Sequence, residues 1–192
     1  MVAIDACIAL IIWFPDLPCA VADARDRVDY LLEDLERRNE KILIPAPALA
    51  ELLVEAGNAG APFVNEILKS GKFRVSAFDT RAAVEVALQI AQARKRGNKR
   101  GKGNKDNWQK VKFDHQIVAI AKTEGVSILY TNDSGLANFA KANDMEVIGV
   151  DDLPSPPSRT PLFDQLKEIP VTPVDEAVRK EKLHLPSSTE KI

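Results

Sequence analysis

Four acidic residues in this sequence stand close to the ends of apolar runs. Asp5 follows VAI, Asp133 follows SILYTN, Asp114 opens DHQIVAIAK, and Glu51 lies within PALAELLVEA. Carboxylates that lie close together take up protons unless a cation of high charge lies among them. Because no cluster of His and Cys accompanies them, their chemistry would be that of a hard, oxygen-preferring ion such as Mg²⁺ or Mn²⁺.

The elements that would position these carboxylates alternate between strands and helices. Five short β-like runs, VAIDA, KILIPA, KFRVSAF, SILYTN and EVIGV, are separated by segments with the helical spacing of apolar residues. The 192-residue chain is 45% hydrophobic, which suffices for one sizeable core. The sequence therefore predicts a three-layer α/β/α domain over residues 1–150, with a mostly parallel five-stranded sheet and right-handed crossovers.

Ligand sites in open parallel sheets lie beyond the carboxyl ends of the strands. Asp5 and Asp133 end the first and fourth predicted strands. The helix that feeds the fourth strand runs antiparallel to it, so its first residues, with Asp114, reach the same edge. Glu51 lies about one turn into the helix after the second strand. We therefore expect all four carboxylates to converge on one edge of the sheet and to share a metal site.

Each carboxylate also has a structural interpretation that needs no metal. Asp5 and Asp114 suit helix N-caps, and Asp133 suits the cap or turn position in TNDSG. Glu51 and Glu55 are four residues apart beside an apolar stripe, which is typical of a solvated helix face. For single residues, both interpretations stay open.

The longest predicted helix, DTRAAVEVALQIAQARKRG, follows the third strand. Asp79 or Thr80 suits its N-cap. Its apolar spacing predicts one inner face that packs on the sheet. The residues of that face are Ala83, Val84, Ala87, Ile90 and Ala91.

A basic segment, residues 94–112, follows this helix. It contains nine Lys or Arg and one acid, a net charge of +8 that the chain total of −2 conceals. Such a segment can neutralise several phosphates, and Trp108 offers a face on which an unpaired base can stack. The alternative is a solvated, uninvolved loop with Trp108 packed on the core. The candidate nucleic-acid-binding residues are Arg94, Lys95, Arg96, Lys99, Arg100, Lys102, Lys105, Trp108, Lys110 and Lys112.

The remainder of the chain, residues 151–192, has a different composition. It contains seven prolines and only short helical possibilities. We expect an extended arm that docks on the core, on a second subunit, or on nothing. The only cysteines are Cys7 and Cys19, which favours a reducing cytoplasm over a disulfide-rich setting. No stretch reaches the roughly 20 apolar residues of a membrane span, so no membrane association is expected.

Four pieces of the chain, VAIDAC, IPAPALAELL, KFDHQIVAIAK and SILYTNDSGL, occur in the order and spacing of a known family. They cover most of residues 1–150. On these pieces the chain resembles PIN-domain nucleases, which include the VapC-like ribonuclease toxins of bacterial toxin–antitoxin pairs. The resemblance implies a PIN-like fold, metal-dependent cleavage of RNA that leaves a 5′-phosphate and a 3′-hydroxyl, an antitoxin protein as partner, and a homodimer.

The resemblance also implies roles for particular residues. Asp5, Asp114 and Asp133 would bind Mg²⁺ or Mn²⁺ directly or through water. Glu51 would bind a second ion or orient the attacking water. All four would be the catalytic acidic residues, and the supporting polar residues would be Thr131 and Asn132.

The immediate neighbours of two acidic residues bear on this chemistry. The family commonly has a hydroxyl residue just after the first aspartate, whereas Ala6 and Cys7 follow Asp5 here, which puts one supporting hydrogen bond in doubt. Cys7 itself is interpreted as a small core residue. His115 adjoins Asp114, but neighbours on a helix point about 100° apart. A structural or phosphate-contacting role is therefore favoured for His115 over that of a general base.

Two other classes of function fit parts of the sequence. A regulatory α/β domain would hold magnesium with Asp5 and nearby acids while another aspartate is phosphorylated. This alternative assigns no function to the basic segment or to Asp133. A catalytically weak nucleic-acid-binding scaffold would keep the fold and use the arm to hold a partner. Its function would survive the loss of the acidic charges.

Overall fold

The computed structural model describes residues 1–14, 17–57, 60–95 and 108–156, apart from the side chains of residues 60, 61, 94 and 108–110. The strands are β1 (Val2–Ile4), β2 (Ile42–Pro45), β3 (Phe73–Ser76), β4 (Ile128–Tyr130) and β5 (Glu146–Ile148). The helices are α1 (Ala6–Trp13), α2 (Ala24–Arg37), α3 (Ala46–Ala56), α4 (Gly60–Lys69), α5 (Thr80–Lys95), α6 (Trp108–Thr123) and α7 (Ser134–Lys141). The strands form one sheet in the order β3-β2-β1-β4-β5, and every neighbouring pair is parallel. The predicted α/β fold with a five-stranded parallel sheet is confirmed.

The centre of the sheet is covered on both faces. Every residue of β1 and β2 is buried, although successive side chains point to opposite faces. The register places Ala3 of β1 beside Leu43 on one side and Leu129 on the other. Full burial of a Leu or Ile side chain contributes about 1.5–3 kcal/mol. Packing of apolar side chains therefore holds these three- and four-residue strands in register.

The prediction of which residues form the inner face of α5 is wrong. The residues of that face are exposed or half-buried: Ala83, Val84, Ala87, Ile90 and Ala91. Among the described side chains of α5, the buried ones are instead Ala82 and Gln89. Alanine occurs both on the buried side, at Ala82, and on the exposed side, at Ala83, Ala87 and Ala91, so apolar spacing alone does not identify the face that packs against α6. Asp79 is the cap, because its Oδ1 accepts the N–H of Ala82 at 2.9 Å.

Helix α6 begins earlier than predicted. It starts at Trp108, so Asp114 is its seventh residue and not its N-cap. No Gly or Pro interrupts the stretch from Trp108 to Phe113. The helix packs against α5, α7, α3 and β2, and residues 118–121 are fully buried. Asp114 is thus carried by a rigid central helix.

Residues 1–156 form one compact unit. Val150 and Leu153 are buried in its core, so the packed chain continues beyond β5. Arg27 of α2 donates hydrogen bonds to the carbonyl oxygens of Asp151, at 3.3 Å, and of Leu153. Most of the expected arm, residues 157–192, lies outside the described residues. Among the described helices, none is both long and apolar enough to cross a membrane.

Candidate active site

Asp5 lies at the centre of the candidate site. It follows β1 directly and is the N-cap of α1, where its Oδ1 accepts the N–H of Ile8 at 3.1 Å. Only 4% of its surface is exposed. The register pairs Ile4 of β1 with Tyr130 of β4, so the residues that follow these two strands meet. The sheet therefore delivers Asp5 to the end of β4, as the sequence predicts.

Thr131 connects Asp5 to the end of β4. Its hydroxyl donates to Asp5 Oδ2 and accepts the backbone N–H of Asp133 at 2.9 Å. Asp133 is the N-cap of α7, where its Oδ1 accepts the N–H groups of Gly135 and Leu136 at 2.8 and 2.9 Å. One buried hydroxyl group therefore joins the first and the fourth acidic residues.

Both Asp5 and Asp133 have the capping role that the structural interpretation gives them. An aspartate N-cap contributes about 0.5–2 kcal/mol relative to alanine. Burial of a carboxylate, however, is unfavourable unless other groups compensate for the lost hydration. Since a cap at the surface would begin α1 equally well, capping alone does not account for the burial of Asp5.

Cys7 is a contact of Asp5 that the sequence interpretation missed. Its Sγ lies 2.9 Å from Asp5 Oδ1 and 3.2 Å from Oδ2, and it accepts the backbone N–H of Asn132 at 3.2 Å. Burial and the charge of Asp5 raise the pKa of the Cys7 thiol, so the protonated, donating form is present at neutral pH. The thiol thus makes the kind of hydrogen bond that the missing hydroxyl residue put in doubt. The signal available was its position, on the first turn of the helix that Asp5 caps.

Asn132 joins the end of β4 to the chain after β5. Its Oδ1 accepts the N–H of Val150 at 2.7 Å. The backbone at Gly149 approaches closely enough that an added Cβ would lie 3.4 Å from the same oxygen. Asn132 is therefore held from two sides, by Val150 and by Cys7. Thr131 thus contacts Asp5 and the backbone of Asp133, whereas the Asn132 side chain contacts Val150. The supporting role of both residues stays a prediction.

The electrostatics of this cluster are unfavourable for an ionised carboxylate. Burial raises the pKa of Asp5, the hydrogen bonds from Cys7, Thr131 and Ile8 lower it, and the charge of Asp133 raises it further. The described donors to Asp5 are a thiol, a hydroxyl and an amide, none of which is a cation. A divalent cation would supply positive charge here, and carboxylate oxygens suit Mg²⁺ or Mn²⁺. The carboxylate oxygens of Asp5 and Asp133 are therefore suitable ligands for such an ion.

The other two acidic residues have contrasting environments. Asp114 on α6 is 5% exposed, whereas Glu51 on α3 is exposed. Within the described ranges, no three His, Cys, Asp or Glu side chains lie in an arrangement that could hold an ion. Mg²⁺ commonly takes only one or two carboxylates and completes its shell with water and substrate phosphate. The structure therefore brings together the pair Asp5 and Asp133, and the four carboxylates do not form one preassembled ligand group.

The basic segment is only partly described. Lys95 at the end of α5 and Lys112 on α6 have exposed side chains. The other proposed nucleic-acid contacts involve residues or side chains outside the described part: Arg94, Arg96, Lys99, Arg100, Lys102, Lys105, Trp108 and Lys110. Contact between this segment and nucleic acid stays a prediction.

His115 packs between two helices. Its ring, on α6, stacks on Phe139 of α7 with the ring centroids 3.9 Å apart and the planes 12° apart. The residue is 6% exposed, and burial lowers the pKa of its imidazole. The neutral ring at pH 7 therefore has the structural role that the sequence interpretation favoured.

Acidification should destabilise the protein through His115. A histidine whose pKa is lowered by folding contributes stability above its unfolded pKa of about 6.5, and this contribution is lost as the pH falls towards the folded pKa. His115→Phe keeps a ring against Phe139 and cannot take up a proton. In urea unfolding at about pH 7.5 and about pH 5.5, we expect a smaller fall in stability for the variant than for the wild type. An equal fall would contradict this prediction.

Known structures include chains with this architecture. A chain in the crystal structure of VapBC2 from Rickettsia felis, bound to a DNA fragment from their promoter, matches with a TM-score of 0.53 and 17% identity, over 78% of this chain and 98% of that chain. The two chains share a fold. A chain of DNA-bound VapBC from Salmonella typhimurium has a TM-score of 0.47 and 20% identity, over 78% of this chain and 99% of that chain. No protein-family model and no curated protein matches the sequence. The likeness concerns the fold, an α/β fold with a parallel sheet. The relation to PIN-domain nucleases stays a prediction from the motifs.

Proposed function

We propose that this protein is a metal-dependent endoribonuclease that acts as the toxin of a toxin–antitoxin pair. The observation that supports this most directly is the buried Asp5 carboxylate, joined to Asp133 through Thr131 at the carboxyl edge of the sheet. A buried acid with a perturbed pKa beside a second acid is typical of a functional site. The motif resemblance to PIN-domain nucleases supplies the reaction class.

The acidic residues would hold the cofactor, Mg²⁺ or Mn²⁺. Asp5 and Asp133 would bind it from the ends of β1 and β4, and Asp114 would bind it from α6, directly or through water. When bound, such an ion polarises a phosphate oxygen and lowers the pKa of a water molecule. Thr131 keeps Asp5 and the backbone of Asp133 in fixed relation. Glu51 would orient the attacking water or bind a second ion.

RNA is the proposed substrate because positive charge is concentrated next to α6. Residues 94–112 carry +8, against −10 for the remainder of the chain. Contacts to several phosphates give an affinity that does not depend on sequence and that falls steeply with salt. Trp108 would stack on an unpaired base, which favours single-stranded or structured RNA over duplex DNA. In-line attack by water would leave a 5′-phosphate and a 3′-hydroxyl.

An antitoxin protein and a second copy of this chain are the proposed partners. The motifs resemble those of toxins that act in such pairs, and the structurally similar chain belongs to a structure of VapBC2 bound to promoter DNA. An antitoxin that covers the acidic edge would block access to Asp5 and Asp133. The free thiols of Cys7 and Cys19 fit the reducing cytoplasm as the proposed location.

Cleavage of mixed RNA substrates by the purified protein tests this proposal. We expect cleavage with Mg²⁺ or Mn²⁺, none with chelator, and a loss of about 1,000-fold or more for Asp114→Asn, since a ligand charge supports several kcal/mol of transition-state stabilisation. Circular dichroism and thermal unfolding of the variant control for folding. Cleavage in chelator, or cleavage indifferent to Asp114→Asn, would contradict the proposal. Binding of RNA without any cleavage would favour the scaffold instead.

Glu51 and Glu55 provide a matched pair on α3. Both are exposed glutamates one helical turn apart, so their substitution changes charge and helix propensity equally. We expect Glu51→Gln to lower RNA cleavage by about 100-fold, the lower end of what a positioned acid or base contributes. Glu55→Gln should change cleavage by less than about twofold, since a surface charge on the solvated face has no such role. If both variants cleave RNA as fast as the wild type in a steady-state assay, both residues belong to the solvated face of α3.

A further inference from the structure

We propose that Cys7 is a positioning residue for the Asp5 carboxylate, a role that rests on the proposed metal-dependent function. The sulfur lies within hydrogen-bond distance of both carboxylate oxygens, at 2.9 Å from Oδ1 and 3.2 Å from Oδ2. Cys7 would act on a bound cation through Asp5 and would not touch the RNA. The inference concerns the affinity of the site for its ion, which can be measured without any RNA.

The environment of Cys7 differs from that of an ordinary core cysteine because its sulfur has polar contacts on two sides. It projects from the first turn of α1 onto Asp5, and it accepts the N–H of Asn132 in the chain after β4. The hydroxyl of Thr131 lies 4.0 Å from the same sulfur. Cys7 thus joins the ends of β1 and β4, the two elements that carry Asp5 and Asp133.

These contacts fix the orientation of a side chain that could otherwise rotate about its last bond. Asp5 Oδ1 accepts from Ile8 N–H and faces the Cys7 thiol, while Oδ2 accepts from Thr131. A carboxylate offers about four acceptor directions, so with these three donors in place about one direction remains for a cation. Removing the thiol takes a donor from Asp5 and the acceptor from Asn132 N–H.

Loss of a hydrogen-bond partner behind a metal-binding side chain typically lowers metal affinity by about 10- to 100-fold. A hydroxyl at position 7 would preserve the contacts, since serine both donates and accepts. Valine would fill the space of the thiol with one extra methyl group, alanine would leave that space empty, and neither would supply either contact. If Cys7 acts through hydrogen bonds, Cys7→Ser keeps the metal affinity and Cys7→Val loses it. If Cys7 acts through packing alone, Cys7→Ser loses more metal affinity than Cys7→Val.

The test is Mn²⁺ binding by isothermal titration calorimetry, without RNA, for the wild type and the variants Cys7→Ser, Cys7→Val and Cys7→Ala. We expect Val and Ala to weaken Mn²⁺ binding by about 10-fold or more and Ser to stay within about threefold of wild type. Cys19→Ser, at an exposed free cysteine, is the control and should bind as wild type. Thermal unfolding in chelator identifies any variant that does not fold. If either Cys7→Val or Cys7→Ala does not fold, the other is compared with Cys7→Ser.

The outcomes separate this inference from the nuclease proposal. Wild-type affinity in Cys7→Val or Cys7→Ala would overturn the positioning role while the nuclease proposal stands. Stronger loss in Cys7→Ser than in Cys7→Val would show that volume matters and would also overturn it. If the wild-type protein binds no Mn²⁺ without RNA, the positioning role is overturned, and the nuclease proposal is decided by the cleavage assay with metal and with chelator.

Discussion

Replacing Asp5 by Asn should separate activity from stability. We expect RNA cleavage to fall by about 1,000-fold or more, because the proposed metal centre loses the charge of its most buried ligand. The free energy of unfolding in chelator at neutral pH should stay the same or rise, because the raised pKa of Asp5 means that folding disfavours its ionised form. Asn can still cap α1 by accepting the N–H of Ile8.

The stability difference between the two proteins should depend on pH. An acid whose pKa is raised by folding weakens the folded state as the pH rises from the unfolded value of 3.8 through the folded pKa. The advantage of Asp5→Asn in chelator should therefore be small near about pH 4 and larger at neutral pH. Urea unfolding across this range measures it. Retained cleavage, or a variant less stable than wild type at neutral pH, would contradict the prediction.

Two substitutions at Asp133 should separate its cap from its proposed role at the metal. Asp133→Asn removes the charge and keeps an oxygen for the N–H groups of Gly135 and Leu136, whereas Asp133→Ala removes both. We expect both variants to lose about 1,000-fold or more in RNA cleavage. Only Asp133→Ala should lose about 0.5–2 kcal/mol in the free energy of unfolding, because Asn is as good an N-cap as Asp.

A neighbouring exposed residue supplies the control for this pair. Ser134, the first residue of α7, is exposed, and Ser134→Ala should change neither cleavage nor stability by much. Chemical unfolding and steady-state cleavage measured on all three variants give both quantities. Wild-type cleavage by Asp133→Asn would reduce Asp133 to a helix cap and would remove it from the metal centre.

The elements and their order are predictable because each strand is a short apolar run between helical segments. All strands of a parallel sheet end at the same edge, so the sequence alone places Asp5 and Asp133 at that edge, but it does not predict that β1 and β4 are neighbours. Their connection through Thr131 follows from the pairing of β1 with β4. The sequence therefore predicts the edge at which Asp5 and Asp133 lie, whereas their connection depends on strand adjacency and their role as metal ligands stays a prediction.

The features that escape prediction depend on contacts that sequence spacing does not encode. In α5, alanines occur on both the buried and the exposed side, so packing against α6 decides which face is buried, and Gln89 is buried where the apolar spacing predicts other residues. The sequence predicts this helix from Val111, with Asp114 in its first turn, whereas α6 begins at Trp108, directly after Asn107, a residue type that suits an N-cap. The sequence interprets Cys7 as a small core residue, whereas its contact with Asp5 depends on the conformation of its side chain.

The turn after β5 limits how far this chain can be shortened at its carboxyl end. A cut after Val150 would remove Leu153 from the core and both carbonyl acceptors from the guanidinium of Arg27. It would also place a charged carboxylate terminus on the residue whose N–H holds Asn132. A truncated protein for crystallisation or titration should therefore end no earlier than residue 156, where the compact unit ends.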